Sequence, residues 1–464
     1  MRQRFVNLRK PATGNDTVPA ELVVVDGRFE SPSPAGELRD EEERIDLGGA
    51  LVLPGAIDAH VHFDDPGFTH RETFASGTRA AAAGGVTCIV DMPCTSLPPV
   101  TTAANLHHKL AIIAGKAHVD FMLWGGVSGN AMEEPDWRRH LAELVGEGVA
   151  AIKIYVLSGM DTFRDLSPGQ IREVLEEARR LGIPVGVHAE DREMVHELTA
   201  RLRDQGRDAP LDYAASRPPA AELAAVVAMR EHCRETGARV HIVHVASAAA
   251  VDAVSEARAE GLAMSAETCP HFLEFTAEDL EAQGAVLKTA PVVKSAADRE
   301  RLWAALRSRE LEFVATDHAA GQWPEEKQTG SIWTDYGGVP GVELLVPYLY
   351  SEGVGKGRIP LERLTEITAA APAHFLGIER RKGRLDPGFD ADFVVFDADE
   401  RWTVRSENLH NLNRYTPLEG RVITGRVRAV YLRGQCVFSR HGDGGEHFAP
   451  AGTGRLVRRE SRVM

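Results

Sequence analysis

The stretch Leu51-Val-Leu-Pro-Gly-Ala-Ile-Asp-Ala-His-Val-His62 decides how this chain is read. Its apolar part predicts a buried strand. Its end places two histidines two residues apart. Side chains alternate along a strand, so His60 and His62 share a face, with Cα atoms roughly 6–7 Å apart. Two imidazoles on one face at a strand end can share a metal ion.

Seven further strand-like runs follow, at residues 86–92, 119–127, 149–156, 183–190, 239–246, 262–269 and 311–317. Several are almost continuously apolar, as parallel strands covered on both faces should be. The segments between them, such as 170–181 and 221–236, carry helical spacing. Eight strand–helix units predict an α/β fold of the (β/α)8 TIM-barrel type. An open doubly wound sheet is the alternative. The count of eight, and the lack of a glycine-rich fingerprint after the first strand, favour the barrel. Both chain ends show short alternating runs, at 21–25, 392–396 and 427–432. They predict a small β-sandwich domain of residues 1–52 and 383–464 beside a barrel of residues 53–382. The tail after Ser439 is expected to wrap the surface or a neighbour.

Composition bounds the function. With 464 residues, 43% of them hydrophobic, the chain can bury a large core. A net charge of −15 argues against nucleic acid or an anionic membrane as partner. Five cysteines without CxxC spacing suit a reducing cytoplasm. No signal-type apolar core opens the chain, and no apolar run approaches the ~18 residues of a membrane span.

Catalytic groups of a barrel sit at the C-terminal ends of its strands. Those ends supply His60 and His62 (strand one), Lys153 (four), His188 (five), His244 (six) and Asp317 (eight). A lysine inside a barrel is costly as a cation, and burial drives it toward the neutral amine. A neutral amine takes up CO2 to give a carbamate, an anion with two oxygens that can bridge two metals. His60, His62 and Asp317 would then hold one divalent ion, and His188 and His244 the other. Such a pair lowers the pKa of a shared water from about 15.7 toward about 7. Asp317 is expected to take that water's proton and pass it to the leaving nitrogen. Each residue alone has a structural reading, as a core histidine, a salt-bridged lysine or a capping aspartate. Ligand-type residues at five of eight strand ends favour the joint reading.

At this point the chain resembles the amidohydrolase superfamily, and within it the cyclic-amide hydrolases: dihydroorotases, allantoinases and hydantoinases. The resemblance rests on the 53–62 signature, Pro66-Gly67 with Glu72, the 80–87 segment, Met92-Pro93, His188-Ala-Glu190, Cys269-Pro-His271, Thr316-Asp-His318 and the 383–392 segment. It implies a binuclear zinc site bridged by carboxylated Lys153, a cyclic-amide substrate and a homodimer or homotetramer. Cobalt, manganese or iron suit the same donors.

Dihydroorotases grip the substrate carboxylate with Arg, Asn and His; this chain has Asp64, Cys94 and Gly321 there, and Asp64 is expected to repel an anion. The 92–99 loop, the 212–218 segment and the 324–338 region are similar to allantoinases, so allantoin is the expected substrate. Tyr155 matches the hydantoinase pattern, in which the hydroxyl bonds the substrate and the developing oxyanion. The resemblance further implies that Ala290 and Gly337 offer backbone groups to the ring, with Asp64 and Cys94 beside it. The alternatives are a dihydroorotase-like or hydantoinase-like ring opener, or a non-catalytic relative that keeps the fold. Such relatives lose metal ligands, whereas all six positions are present here.

Overall fold

The computed structural model describes residues 2–31, 42–442 and 444–460. Residues 1, 32–41, 443 and 461–464, which the sequence assigns to the β domain, lie outside the described residues.

All eight sequence-derived strands are present as a parallel barrel. They are Ala56–Val61, Val86–Asp91, Asp120–Leu123 continued by Gly125–Gly126, Ile152–Tyr155, Val185–His188, Val240–Ile242, Met264–Thr268 and Phe313–Val314. The third strand is broken at Trp124. Its first half pairs with the second strand and its second half with the fourth. A parallel bridge from Val61 to His318 closes the ring. The seam is reinforced by Asp58, fully buried in strand one, whose carboxylate accepts from Thr316 N (3.0 Å) and from the Thr316 hydroxyl. Inside the barrel, Ile57, Val90, Met122, Trp124 and Phe313 pack into an apolar floor, and the Trp124 indole donates to the Ala59 carbonyl (2.9 Å). That floor leaves the opposite, C-terminal mouth for polar groups.

The outer helices start and stop where the sequence dictates. Pro168–Leu181 begins with a capping box between Ser167 and Gln170, has proline at its first turn, and ends at Gly182 with φ 70°. Ile171, Val174, Leu175 and Ala178 lie three or four residues apart and are all buried, which seats the helix on the barrel.

One expectation is corrected. The opening stretch is not one strand. Glu42–Pro54 belongs to the end sheet, where Leu51 to Pro54 pair antiparallel with Phe396 to Phe393. The chain then crosses at Gly55 into Ala56–Val61 of the barrel. A Cβ on Gly55 would stand 2.3 Å from Thr87 Oγ1, so the crossing needs glycine. An apolar run alone does not reveal that its two halves pair in different sheets.

Both chain ends form one eight-stranded sheet, in which Arg2–Pro11, Thr17–Val25, Arg28–Glu30 and Glu42–Pro54 join Phe393–Thr403, Val422–Leu432, Gln435–Arg440 and Glu446–Phe448. It closes over Phe5, Leu22, Phe29, Val52 and Phe393 as the small sandwich. A buried ion network ties it to the barrel. Lys382 meets Asp120 of the third barrel strand at 2.8 Å and Asp392 at 2.5 Å, and Arg433 reaches Asp120 as well. The tail lies along the barrel surface: Phe121 N donates to Arg455 O (3.0 Å) and Val457 N to Phe121 O (2.8 Å). Among the described residues no helix is long and apolar enough to cross a membrane.

Candidate active site

The strand ends converge as their positions demand. His60 and His62, two apart on strand one, have ring centroids 5.3 Å apart. Each presents Nε2 at 3.1 Å from Asp317 Oδ1, reaching across the seam from strand eight. Asp317 is half-buried among histidines. Burial works to raise its pKa, but His60, His62 and His244 hold it well below the usual carboxylate range. These three donors (His60, His62, Asp317) have the spacing of a metal-binding cluster. His188 and His244 face each other with Nδ1 and Nε2 3.1 Å apart, and His60 and His244 have ring centroids 5.4 Å apart. Two imidazole nitrogens at that separation need a proton or a cation between them. Both Asp317 (φ 49°) and His244 (φ 44°) sit in left-handed backbone, a conformation that costs side-chain-bearing residues energy and concentrates at functional sites.

Lys153 is fully buried on strand four, and its Nζ has no hydrogen-bond partner among the described residues. It lies 4.7 Å from the centre of the Tyr155 ring. Burial lowers its pKa to about 8, against the opposing pull of Cys94 and Asp317. An unpartnered buried amine is expensive unless something completes it. A carbamate would, and the flanking histidine nitrogens are the donor set that divalent metals take with it.

The mouth above these groups is a cavity of about 480 Å3. His60, His62, Tyr155, His188, His244 and Asp317 line it, as do Cys94, Ala290 and Gly337. The Cys94 thiol lies 3.1 Å from the Tyr155 hydroxyl. Lys153 and Asp64 are fully buried and form no part of the wall. The position of Asp64 corrects the sequence reading. Burial pushes its carboxyl up to about 8, so at pH 7 it is mostly neutral and does not project charge at a ligand. His271 has its Nε2 unpartnered among the described residues. His241 is structural, packed on Phe313 with Nδ1 2.7 Å from Ser265 Oγ.

Sequence reading missed the groups that orient the histidines. Glu267 Oε1 stands 2.6 Å from His60 Nδ1, and its other oxygen is 3.2 Å from His241 Nε2. Glu190 accepts from His188 Nε2 (2.9 Å) and is itself paired with Arg217. Thr95 Oγ1 lies 3.3 Å from His62 Nδ1. A carboxylate on one ring nitrogen fixes the tautomer and makes the other nitrogen the better ligand. The one available signal was Glu267 itself, a carboxylate inside a buried strand. Replacing it with glutamine is expected to weaken metal retention or turnover by about 10- to 100-fold, measured as bound metal per chain and as kcat.

Comparison with known proteins agrees with this arrangement. The amidohydrolase family model matches residues 51–437. An allantoinase of Rubrobacter xylanophilus is 39% identical over 440 residues, covering 95% of this chain and 94% of its own. An allantoinase of Deinococcus radiodurans is 37% identical over 448 residues, covering 95% of each. Among solved structures, the L-hydantoinase (dihydropyrimidinase) of Arthrobacter aurescens superposes with a TM-score of 0.92 at 29% identity, over 98% of this chain and 99% of that one. The dihydropyrimidinase of Brevibacillus agri gives 0.90 at 30% identity, over 99% of each.

Proposed function

The chain belongs to the amidohydrolase family, and from that premise we propose that it opens the ring of allantoin, with two divalent metal ions held on carboxylated Lys153. It is a hydrolase of cyclic amides. The observation that carries the finer reading is the meeting of four histidine rings and Asp317, all lining one cavity, with a fully buried, unpartnered lysine beside Tyr155.

His60, His62 and Asp317 would hold one ion, His188 and His244 the other, with Lys153 between them; zinc suits these donors. Ions held there supply Lewis-acid polarisation of a carbonyl and a more acidic water. The chain does the rest. Asp317, ionised at neutral pH, accepts the proton of the attacking water at its carboxylate and returns it to the ring nitrogen as the C–N bond breaks. The Tyr155 hydroxyl, kept protonated by burial, donates to the carbonyl oxygen as it gains charge. Ala290 and Gly337 offer backbone groups to the ring from the cavity wall. The product is one open-chain ureide that carries the new carboxylate at one end and the freed NH2 at the other, one water having been added across the C–N bond.

A second reading, a hydantoin or dihydropyrimidine as substrate, is favoured by Tyr155 and by the similarity to the hydantoinase structures. Steady-state assays separate the two. Allantoin should be turned over with the highest kcat/KM among allantoin, 5-substituted hydantoins, dihydrouracil and dihydroorotate. A preference for a hydantoin would move the assignment to the second reading. A preference for dihydroorotate would overturn both.

A further inference from the structure

The loop that follows the eighth barrel strand carries Gly337, and its peptide groups are engaged in an uneven way. Asp335 O accepts from Lys288 Nζ (2.5 Å). Tyr336 N donates to Glu326 O (2.7 Å), and Gly338 N to Lys288 O (2.8 Å). Tyr336 O and Gly338 O both accept from Lys327 Nζ, at 2.9 and 2.5 Å. Between Asp335 and Gly338, Gly337 alone keeps both its N–H and its C=O without a partner among the described residues, and it is exposed at the cavity wall.

Lys327 is the centre of this pattern. Its side chain is 1% exposed, and its third proton goes to Ala285 O at 2.9 Å. An ammonium has three donors, and three carbonyls satisfy them. The rings of Tyr336 and Tyr415 stand on either side, with centroids 5.8 and 5.5 Å away. Burial, with Lys288 nearby, lowers the Lys327 pKa to about 7, and the three carbonyl acceptors favour the protonated form. The far side of the loop is pinned by a forked pair between Arg71 and Glu326 (2.7–3.0 Å). A Cβ on Gly338 would lie 2.3 Å from Ala319 O, so the loop is packed down at that point too.

We infer that Lys327 is a positioning residue, a tethered amine whose hydrogen bonds gather the carbonyls on either side of Gly337 and so leave the Gly337 peptide groups aimed at a ligand. A cyclic ureide alternates N–H donors with C=O acceptors around its ring, and a residue offering one free acceptor and one free donor reads that pattern. The inference rests on the ring-opening reading of this cavity. It adds that the grip on the ring is set by a lysine that does not line it.

The test is Lys327→Met, which keeps the chain's bulk and removes the charge. Hydrogen exchange of peptides spanning residues 328–340 should quicken in the variant while bound metal per chain stays at the wild-type level. KM for allantoin should rise about tenfold with a smaller change in kcat, the size expected for losing one well-made hydrogen bond. In Lys327→Ala, n-propylammonium, which replaces the deleted atoms, should recover part of the loss, and tetramethylammonium, which has no N–H, should not. Wild-type exchange in that segment, or an unchanged KM, would overturn the assignment. Exchange needs no substrate. If the wild-type protein proved inactive on every ureide, a quickened segment would still support the clamp, and an unchanged one would still refute it.

Discussion

Lys153→Ala is expected to lower turnover of the ureide by about a thousandfold or more, since it would remove the group proposed to join two metal ions and with it their chemistry. The physical case begins with burial. A lysine amine in water has a pKa near 10.5, so at pH 8 only about 0.3% is neutral. Burial brings Lys153 to about 8, so roughly half is neutral at that pH and able to combine with CO2. The amine has no hydrogen-bond partner to compete for it. Alanine leaves His60, His62 and Asp317 in place but removes the anion shared with His188 and His244. A short carboxylic acid such as acetate or propionate can enter the vacated space, so adding one should recover part of the activity. Near-wild-type kcat in the alanine variant without added acid would show that no carbamate is needed.

Asp317→Asn is expected to cost about 10³- to 10⁴-fold in kcat with the fold intact. Asparagine keeps the shape but carries no charge and does not accept the proton of water at this pH. It also leaves the two Nε2 atoms that lie 3.1 Å from Oδ1 facing an amide. The pH profile supplies the check. Asp317 is held well below the ordinary range, so the wild type should keep this base ionised through mildly acidic pH. The sign follows: activity that depends on the carboxylate is present above its pKa and is lost only as pH falls through that depressed value. Any acid limb due to Asp317 should vanish in the asparagine variant. Loss of less than about tenfold would remove Asp317 from the proton transfer.

The sequence carried the barrel because period-two alternation and continuous apolar runs report burial directly, and eight runs at regular spacing leave few folds. The six positions proposed as ligands stand out for the same reason, since five close such runs and Lys153 interrupts one. It did not carry the break at Gly55, where a single apolar run serves two sheets, because the first half pairs with Phe393–Phe396, hundreds of residues away, and the second with Val86–Asp91. Glu267, Glu190 and Arg217 were missed because their role is to touch a histidine rather than to end a strand. Asp64 was misjudged because its charge depends on burial, which the residue letter does not reveal. Lys327 was noticed only as part of a family-like segment. Its three carbonyl partners come from two separate loops that meet only in the folded chain.

The central claim is that a carbamate on Lys153 assembles the catalytic metal pair. Carbon-13 NMR of native protein equilibrated with labelled bicarbonate tests it most directly, in a preparation that opens allantoin. One protein-bound carbamate resonance per chain, absent from Lys153→Met, is the predicted result. A fully active preparation with no such resonance would contradict it.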